Sequence, residues 1–126
     1  MNPDIEKYRL HPDAILLSPF ENSGGYGRIE KLGIPIIECA DYMETSPLGR
    51  SEWMRFFGLL FGKRRQADSL FTAVRADYLQ LCDLVKSVNQ RPTVISELKS
   101  GSAWYVPGGK STTGRLYQDA GATYMW

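Results

Sequence analysis

Histidine and cysteine are scarce in this sequence, which contains one histidine, His11, and two cysteines, Cys39 and Cys82. The cysteines match no metal-ligand spacing and no C-x-x-C pattern, so neither a zinc site nor a thiol–disulfide centre is indicated. We expect both thiols to be small buried hydrophobic groups. The histidine stands before Pro12 without a patterned partner, and an unoriented imidazole is a poor candidate for a general base.

Net charge is also lacking, because 15 basic residues are balanced by 14 acidic ones and the formal net charge is +1. This balance gives no reason to expect nucleic acid or an anionic membrane surface as a partner. Long hydrophobic runs are missing too. The longest, Phe56 to Phe61, is interrupted by Gly58 and is far too short to span a bilayer.

Motifs for phosphate and metal binding are incomplete. The segment YVPGGKST, residues 105–112, ends like a phosphate-binding loop, but G-x-x-x-x-G-K-[ST] requires a glycine where this sequence has Trp104. The carboxylates Glu38, Asp41 and Glu44 are too sparse for a calcium loop, and we interpret them as solvated loop acids. No G-x-S-x-G elbow is present. No metal site, cofactor or catalytic residue is predicted.

Three short apolar runs, punctuated by proline or glycine, are typical of buried strands. They are AILL at 14–17, IPIIEC at 34–39 and TVIS at 93–96. The residues between the first two runs suit a short helix that ends at Gly33. Strand, helix and strand in such a compact stretch predict a parallel crossover, and therefore an α/β fold.

Two helices are predicted between the second and third runs. Residues 51–61 are apolar almost all round, and Ser51 and Gly62 are candidates for the two ends. From about Arg64 to Val88 the apolar residues recur at steps of three and four, which predicts one continuous amphipathic helix of about 35 Å. The stripe consists of Ala67, Leu70, Phe71, Val74, Tyr78, Leu81, Cys82 and Val85.

After Pro92 the pattern restarts with a strand, a glycine-rich loop and a short helix over Thr112–Asp119, capped by Ser111 or Thr112. About thirty-five residues are too few for an independent core. We expect both edges of the strand at 93–96 to be open and the following apolar AWYV segment to be nearly uncovered. Open edges and apolar patches seek partners, so we expect this chain to self-associate.

Aromatic and polar residues follow the predicted strands, at the edge where ligands bind in open α/β sheets. This mixture suits recognition of a large, partly aromatic small molecule without reaction. The alternative is that the aromatic residues belong to the local core. The candidates are Ser18, Phe20, Glu21 and Tyr26 after the first strand, and Trp104, Tyr105 and Lys110 after the third.

Five segments, in order, resemble one family: the substrate-binding proteins of ABC importers for ferric siderophores, haem and cobalamin. They are IEKYRLHPDAILLSP, EKLGIPII, SPLGRSEWMRFFGLLFGKRRQAD, RPTVISE and WYVPGGKSTTGRLYQDAGA. The resemblance implies two α/β lobes joined by one long helix, with a ligand in the cleft between them. It places part of the first lobe at 1–63, the linking helix at 64–90 and the start of the second lobe at 91–126.

The resemblance also implies a non-enzymatic function, the capture of an iron-siderophore, haem or cobalamin-type ligand. Gly108, Gly109 and Lys110 then belong to a cleft loop of the second lobe, and Glu6 pairs with arginines of the membrane permease. The expected location is the periplasm or the outer face of the membrane. The leader, the first strands and the rest of the second lobe are expected outside this sequence, as for a central fragment.

Two other functions remain open from the residues themselves. One is a small cytoplasmic enzyme that binds a nucleotide at the glycine-rich loop, residues 107–112. The other is a structural or interaction module.

Overall fold

The computed structural model describes residues 12–19, 25–97 and 99–126. The chain divides into two compact units, Met1–Ala40 and Asp41–Trp126.

The first unit contains one parallel strand pair. Strand β1 (Ile15–Leu17) pairs with β2 (Ile36–Glu38), with Ile15 opposite Ile36. In the described part of the connection lies a one-turn 3-10 helix, Glu30–Leu32, which ends at Gly33 in the left-handed region. The predicted parallel crossover is confirmed, but its strands are shorter than the apolar runs and its helix is only one turn. Ile15, Ile29 and Cys39 are buried in this unit, and Cys39 is a free thiol.

Helix α1 (Pro47–Leu60) opens the second unit, after a 3-10 turn at Asp41–Met43. Ser46 caps it, accepting a hydrogen bond from the Gly49 N–H at 2.9 Å. The prediction that Ser51 is the cap is therefore wrong. Ser51 lies inside the helix and donates to the Pro47 carbonyl. The pair Ser46-Pro47 prevails because it supplies both a capping oxygen and a residue without an N–H at the first helical position.

Helix α2 (Arg64–Lys86) is continuous for 23 residues, as the periodic stripe predicts. It packs against α1 at Gly58, where a Cβ would lie 2.3 Å from the Cβ of Ala67, so only glycine permits this approach. Phe71 is buried beside this contact, with the Arg55 guanidinium 5.5 Å from its ring centre. Arg55 also bonds Asp68 at 2.7 Å, which ties the two helices together.

A second parallel pair follows α2. Strand β3 (Thr93–Val94) pairs with β4 (Thr123–Tyr124), and α3 (Thr112–Asp119) connects them. Helix α3 and its Ser111 cap match the prediction. The prediction that both edges of the strand near residue 93 are open is wrong for one edge, because β4 covers it. Strand β4 is not predicted from the sequence, because two residues, Thr123 and Tyr124, are too few to show the alternation of a strand.

The core of the second unit is thin. No described side chain is fully buried, and several apolar residues along one side of α2 are exposed. Cys82 is a free thiol and only partly buried. No helix in the described ranges is both long and apolar enough to cross a membrane. The exposed apolar residues are Leu70, Val74, Leu79, Leu81 and Leu84 in α2, with Val88 just beyond its end.

Candidate functional site

The glycine-rich loop is held against the first turn of α3 by Ser111. The Ser111 hydroxyl donates to the Gly108 carbonyl at 2.6 Å and accepts from the Gly114 N–H at 3.1 Å. The resemblance of Gly-Lys-Ser to a phosphate-binding motif thus has a structural explanation, since this serine caps a helix.

Tyr124 ties the start of the loop to the second strand pair. Its buried hydroxyl donates to the Pro107 carbonyl at 2.7 Å and lies 3.3 Å from the Ser96 hydroxyl. Because the phenol has one proton, Ser96 is the donor of the second bond. The Tyr124 ring packs on Tyr117, with ring centres 5.1 Å apart. The loop therefore receives its position from β4, while Thr112 bonds the Glu44 carbonyl that precedes α1.

Aromatic surface lies beside the loop. Trp104 and Trp126 pack edge to face, with ring centres 5.7 Å apart, and their exposed fractions are 43% and 51%. Tyr105 is 78% exposed. Each ring therefore keeps open surface on which a ligand can pack.

A groove of about 940 Å³ lies between the start of α1, the second half of α2, the loop and α3. Its volume is in the range of small-molecule sites. Gly109 and Lys110 line it, so two of the sequence-predicted residues meet here. The other lining residues are Thr45, Ser46, Pro47, Leu48, Tyr78, Leu79, Cys82, Lys86, Arg115, Gln118, Asp119 and Trp126.

The acidic group of this groove is already engaged. Asp119 accepts from the Tyr78 hydroxyl at 2.7 Å and pairs with Arg115 at 3.0 Å. Burial, and then the hydrogen bond to Asp119, raises the pKa of Tyr78 well above its usual range. The phenol therefore stays neutral and acts as a hydrogen-bond donor at physiological pH.

The basic groups leave a positive excess in the groove. Lys86 bonds Asp83 at 2.7 Å, and this hydrogen bond raises the pKa of the exposed Lys86 ammonium. Lys110 pairs with no carboxylate within the described part of the chain. With Arg115 shared between solvent and Asp119, the groove favours a ligand that carries negative charge.

A smaller groove, of about 550 Å³, lies between α1 and the start of α2. Its polar side chains satisfy one another: the Trp53 indole N–H donates to Glu44 at 2.9 Å, and Arg55 bonds both Glu52 and Asp68. The Arg55–Asp68 contact joins the two helices and the other two hold α1 and the segment before it, which explains these residues without a ligand. The described ranges contain no cluster of three or more histidine, cysteine or acidic side chains arranged to hold a metal ion.

The remaining predicted site residues lie in the first unit or outside the described ranges. Ser18 is exposed after β1. Tyr26 is partly buried; its hydroxyl donates to Glu38 at 2.7 Å and its N–H to Glu30 at 2.6 Å. These bonds fix the tyrosine locally. Glu6, Phe20 and Glu21 fall outside the residues that the structure describes, as does His11, which is not a predicted site residue.

Sequence reasoning missed Trp126, Tyr78, Arg115 and Asp119 as lining residues. For Trp126 the available signal was an aromatic residue shortly after the helix that follows a glycine pair. For Tyr78 and Asp119 no local pattern exists, because their contact joins positions 41 residues apart in the chain.

Comparison with known proteins agrees with the fold. A model of the family described as periplasmic binding protein matches residues 1–125. An uncharacterized lipoprotein of Methanocaldococcus jannaschii is 29% identical over 114 residues, which cover 87% of this chain and 27% of that protein. An uncharacterized protein of the same organism is 25% identical over 87 residues, covering 68% of this chain and 25% of that protein. No solved structure matches the chain.

The chain spans about a quarter of the length of these curated relatives. Its helices and small parallel sheets are consistent with part of an α/β binding protein. Because the family match runs along residues 1–125 rather than over one motif, this chain belongs to the periplasmic binding protein family.

Proposed function

We propose that this chain is part of the substrate-binding component of an ABC importer. In this proposal it captures an iron-siderophore, haem or cobalamin-type ligand in a cleft between two lobes. The observation that carries the proposal is the family match along residues 1–125. The ligand class comes from the five sequence segments that resemble importers of iron chelates, haem and cobalamin.

The geometry of the second unit supports binding without reaction. The glycine-rich loop is fixed by Ser111 and Tyr124, and a site on a pre-positioned loop loses less entropy when it binds. Open aromatic surface at Trp104 and Tyr105 offers apolar contact, and Lys110 offers charge attraction. Such a mixture of apolar surface and few polar groups is typical of sites that recognise small molecules.

The lobe boundaries belong to the proposal as well. Helix α2 is continuous, which is what a rigid link between two lobes requires. We assign residues 1–63 to the first lobe, 64–90 to the link and 91–126 to the second lobe. Ser18 and Tyr26, with Phe20 and Glu21, supply the first-lobe contacts in this assignment.

The partner and location follow from the family. Binding proteins of this kind deliver their ligand to a membrane permease, and we assign Glu6 to that contact on its sequence position alone. A relative named as a lipoprotein supports an extracytoplasmic location, at the outer face of the membrane or in the periplasm. The function is transport rather than catalysis.

A ligand panel tests the proposal directly. We expect one of ferrichrome, a ferric tris-catecholate, haemin or cyanocobalamin to raise the melting temperature of the purified protein in a saturable way. Mg-ATP is the matched negative probe. A shift with Mg-ATP that disappears in Lys110→Ala would instead support the nucleotide-binding enzyme. No shift with any probe would leave an interaction module as the better function.

A further inference from the structure

Residues 123–126 approach the glycine-rich loop at backbone distance. A Cβ on Gly109 would lie 1.8 Å from the carbonyl oxygen of Trp126 and 2.9 Å from its carbonyl carbon. Both are backbone atoms, so a side chain at position 109 cannot be accommodated by rotating another side chain away. Gly109 is therefore what lets Trp126 reach the loop.

The same segment is anchored to the sheet just before Trp126. The Thr123 N–H donates to the Pro92 carbonyl at 2.8 Å, and the Tyr124 hydroxyl bonds the Pro107 carbonyl at 2.7 Å. A side chain two residues beyond such an anchor has a restricted position. The indole of Trp126 is thus presented to the groove by β4 and by Gly109 together.

Trp104 supports this indole from one side. The two rings meet edge to face, at 5.7 Å between centres and an angle of 78°. Edge-to-face packing of this kind fixes ring orientation. Trp126 lines the groove with Gly109 and Lys110, whereas Trp104 is not among its lining residues. Trp126 is therefore placed to contact a ligand, whereas Trp104 packs against it from outside the groove.

The groove combines this flat indole with basic groups. Lys110, Lys86 and Arg115 all line it, and its carboxylate, Asp119, already bonds Tyr78 and Arg115. A ligand that satisfies both features has a flat ring system and negative charge. Aliphatic ligands would leave the indole surface unused.

We propose that Trp126 is a ligand-contacting residue, that Trp104 and Gly109 position it, and that the ligand is an anionic chelate that carries flat aromatic rings. This inference rests on the proposed function and names the chemical class of its ligand. Only glycine fits at position 109 because a Cβ there would collide with the Trp126 backbone, and not because a phosphate must approach it.

Affinity measurements on variants test the contact. The probes are haemin and the gallium complex of a tris-catecholate, with ferric desferrioxamine B as an aliphatic comparison. We expect Trp126→Leu to weaken binding of an aromatic probe about tenfold, while Trp126→Phe retains most of the affinity. We expect Trp104→Leu to lower the affinity less, and Gly109→Ala to lower it about as much as Trp126→Leu, because a Cβ at position 109 displaces the Trp126 backbone. Phe61→Leu, at the far end of α1, is the control and leaves affinity unchanged.

Labelling with 5-fluorotryptophan adds a readout that does not depend on how well a variant folds. The protein has three tryptophans, so its fluorine spectrum has three resonances, which are assigned by replacing each tryptophan in turn with phenylalanine. We expect the Trp126 resonance to move most when the gallium complex is added. The Trp53 resonance stays in place, because its indole N–H is bonded to Glu44 in the smaller groove.

The outcomes separate this inference from the proposed function. Binding of an aromatic probe with an unmoved Trp126 resonance, or with unchanged affinity in Trp126→Leu, overturns the role of Trp126. Binding of ferric desferrioxamine B alone overturns the aromatic ligand class and leaves the importer function standing. Binding of no probe in any panel overturns both.

Discussion

Leu70 and Phe71 are neighbours on α2, yet Phe71 is 8% exposed and Leu70 is 62% exposed. Phe71 faces α1, where Gly58 and Ala67 bring the two helices close together. Leu70 begins a second apolar row on the other side of the same helix, continued by Val74, Leu81 and Leu84. The helix therefore has one apolar side that the chain covers and one that it leaves open.

The difference in exposure shows that the apolar stripe read from the sequence mixes two kinds of residue, those that pack within the unit and those that remain exposed. Residues that contact α1 or α3 and residues that contact neither recur with the same spacing, so periodicity alone cannot separate them. The covered side stabilises the unit, because apolar area is removed from water only there. The open side contributes little to stability, and we expect it to promote association.

The largest expected effect is at the covered side. We predict that Phe71→Ala lowers the free energy of unfolding by about 3 kcal/mol, since it removes a buried ring and leaves a cavity between α1 and α2. Leu70→Ala, one position earlier, should change it by less than about 0.5 kcal/mol. Urea unfolding of the two variants measures the contrast. Equal losses would show that the two sides of α2 do not differ.

A smaller effect is expected at Tyr78, where the covered side meets α3. We predict that Tyr78→Phe costs about 1.5 kcal/mol, because the bond to the Asp119 carboxylate is lost. The folded-state pKa of Tyr78 is raised above the ordinary value of 10.0. Its contribution is therefore fully present below about pH 10 and is lost as the pH rises through the folded-state pKa.

Urea unfolding of the wild type and of Tyr78→Phe at several pH values measures how the contribution of Tyr78 to stability depends on pH. The difference in stability should be constant up to about pH 10 and shrink above it. Tyr105→Phe is the control, because that side chain is largely exposed. A difference that grows with pH would contradict the assignment.

The smallest effect on stability, and the clearest on association, is expected at the open side. We predict that the chain self-associates through its exposed apolar surface and that Leu81→Glu shifts it towards monomer. Its free energy of unfolding should change by less than about 0.5 kcal/mol. Sedimentation at several concentrations measures the association. A wild-type chain that remains monomeric at high concentration would overturn the prediction.

Sequence reasoning recovers the elements whose signal is local. Helix α2 is predictable because its stripe has no glycine or proline inside it, and the Ser111 cap because a serine stands directly before a helical segment. The start of α1 is missed because two serines compete and only Ser46 is followed by proline. Strand β4 is missed because its partner β3 is far away in the chain.

The candidate site is predicted in part. Gly109 and Lys110 line the groove as parts of a recognisable loop. Trp126 carries only a weak signal, an aromatic residue shortly after a helix, because its place depends on a backbone contact with Gly109 that no spacing encodes. The contact of Tyr78 with Asp119 is likewise tertiary, and appears only when α3 packs on α2.

The pairing of β3 with β4 has a consequence for how the groove arises during folding. Thr93 pairs with Thr123, so this strand pair closes a loop of about thirty residues. The ladder that closes the loop contains only two residue pairs. Closing so long a segment costs chain entropy before the pairing returns any stability. Helices α1 and α2, whose contacts are nearer in sequence, form without that delay. The glycine-rich loop takes its shape from Tyr124 of β4, so the groove is completed late, after the helices that border it.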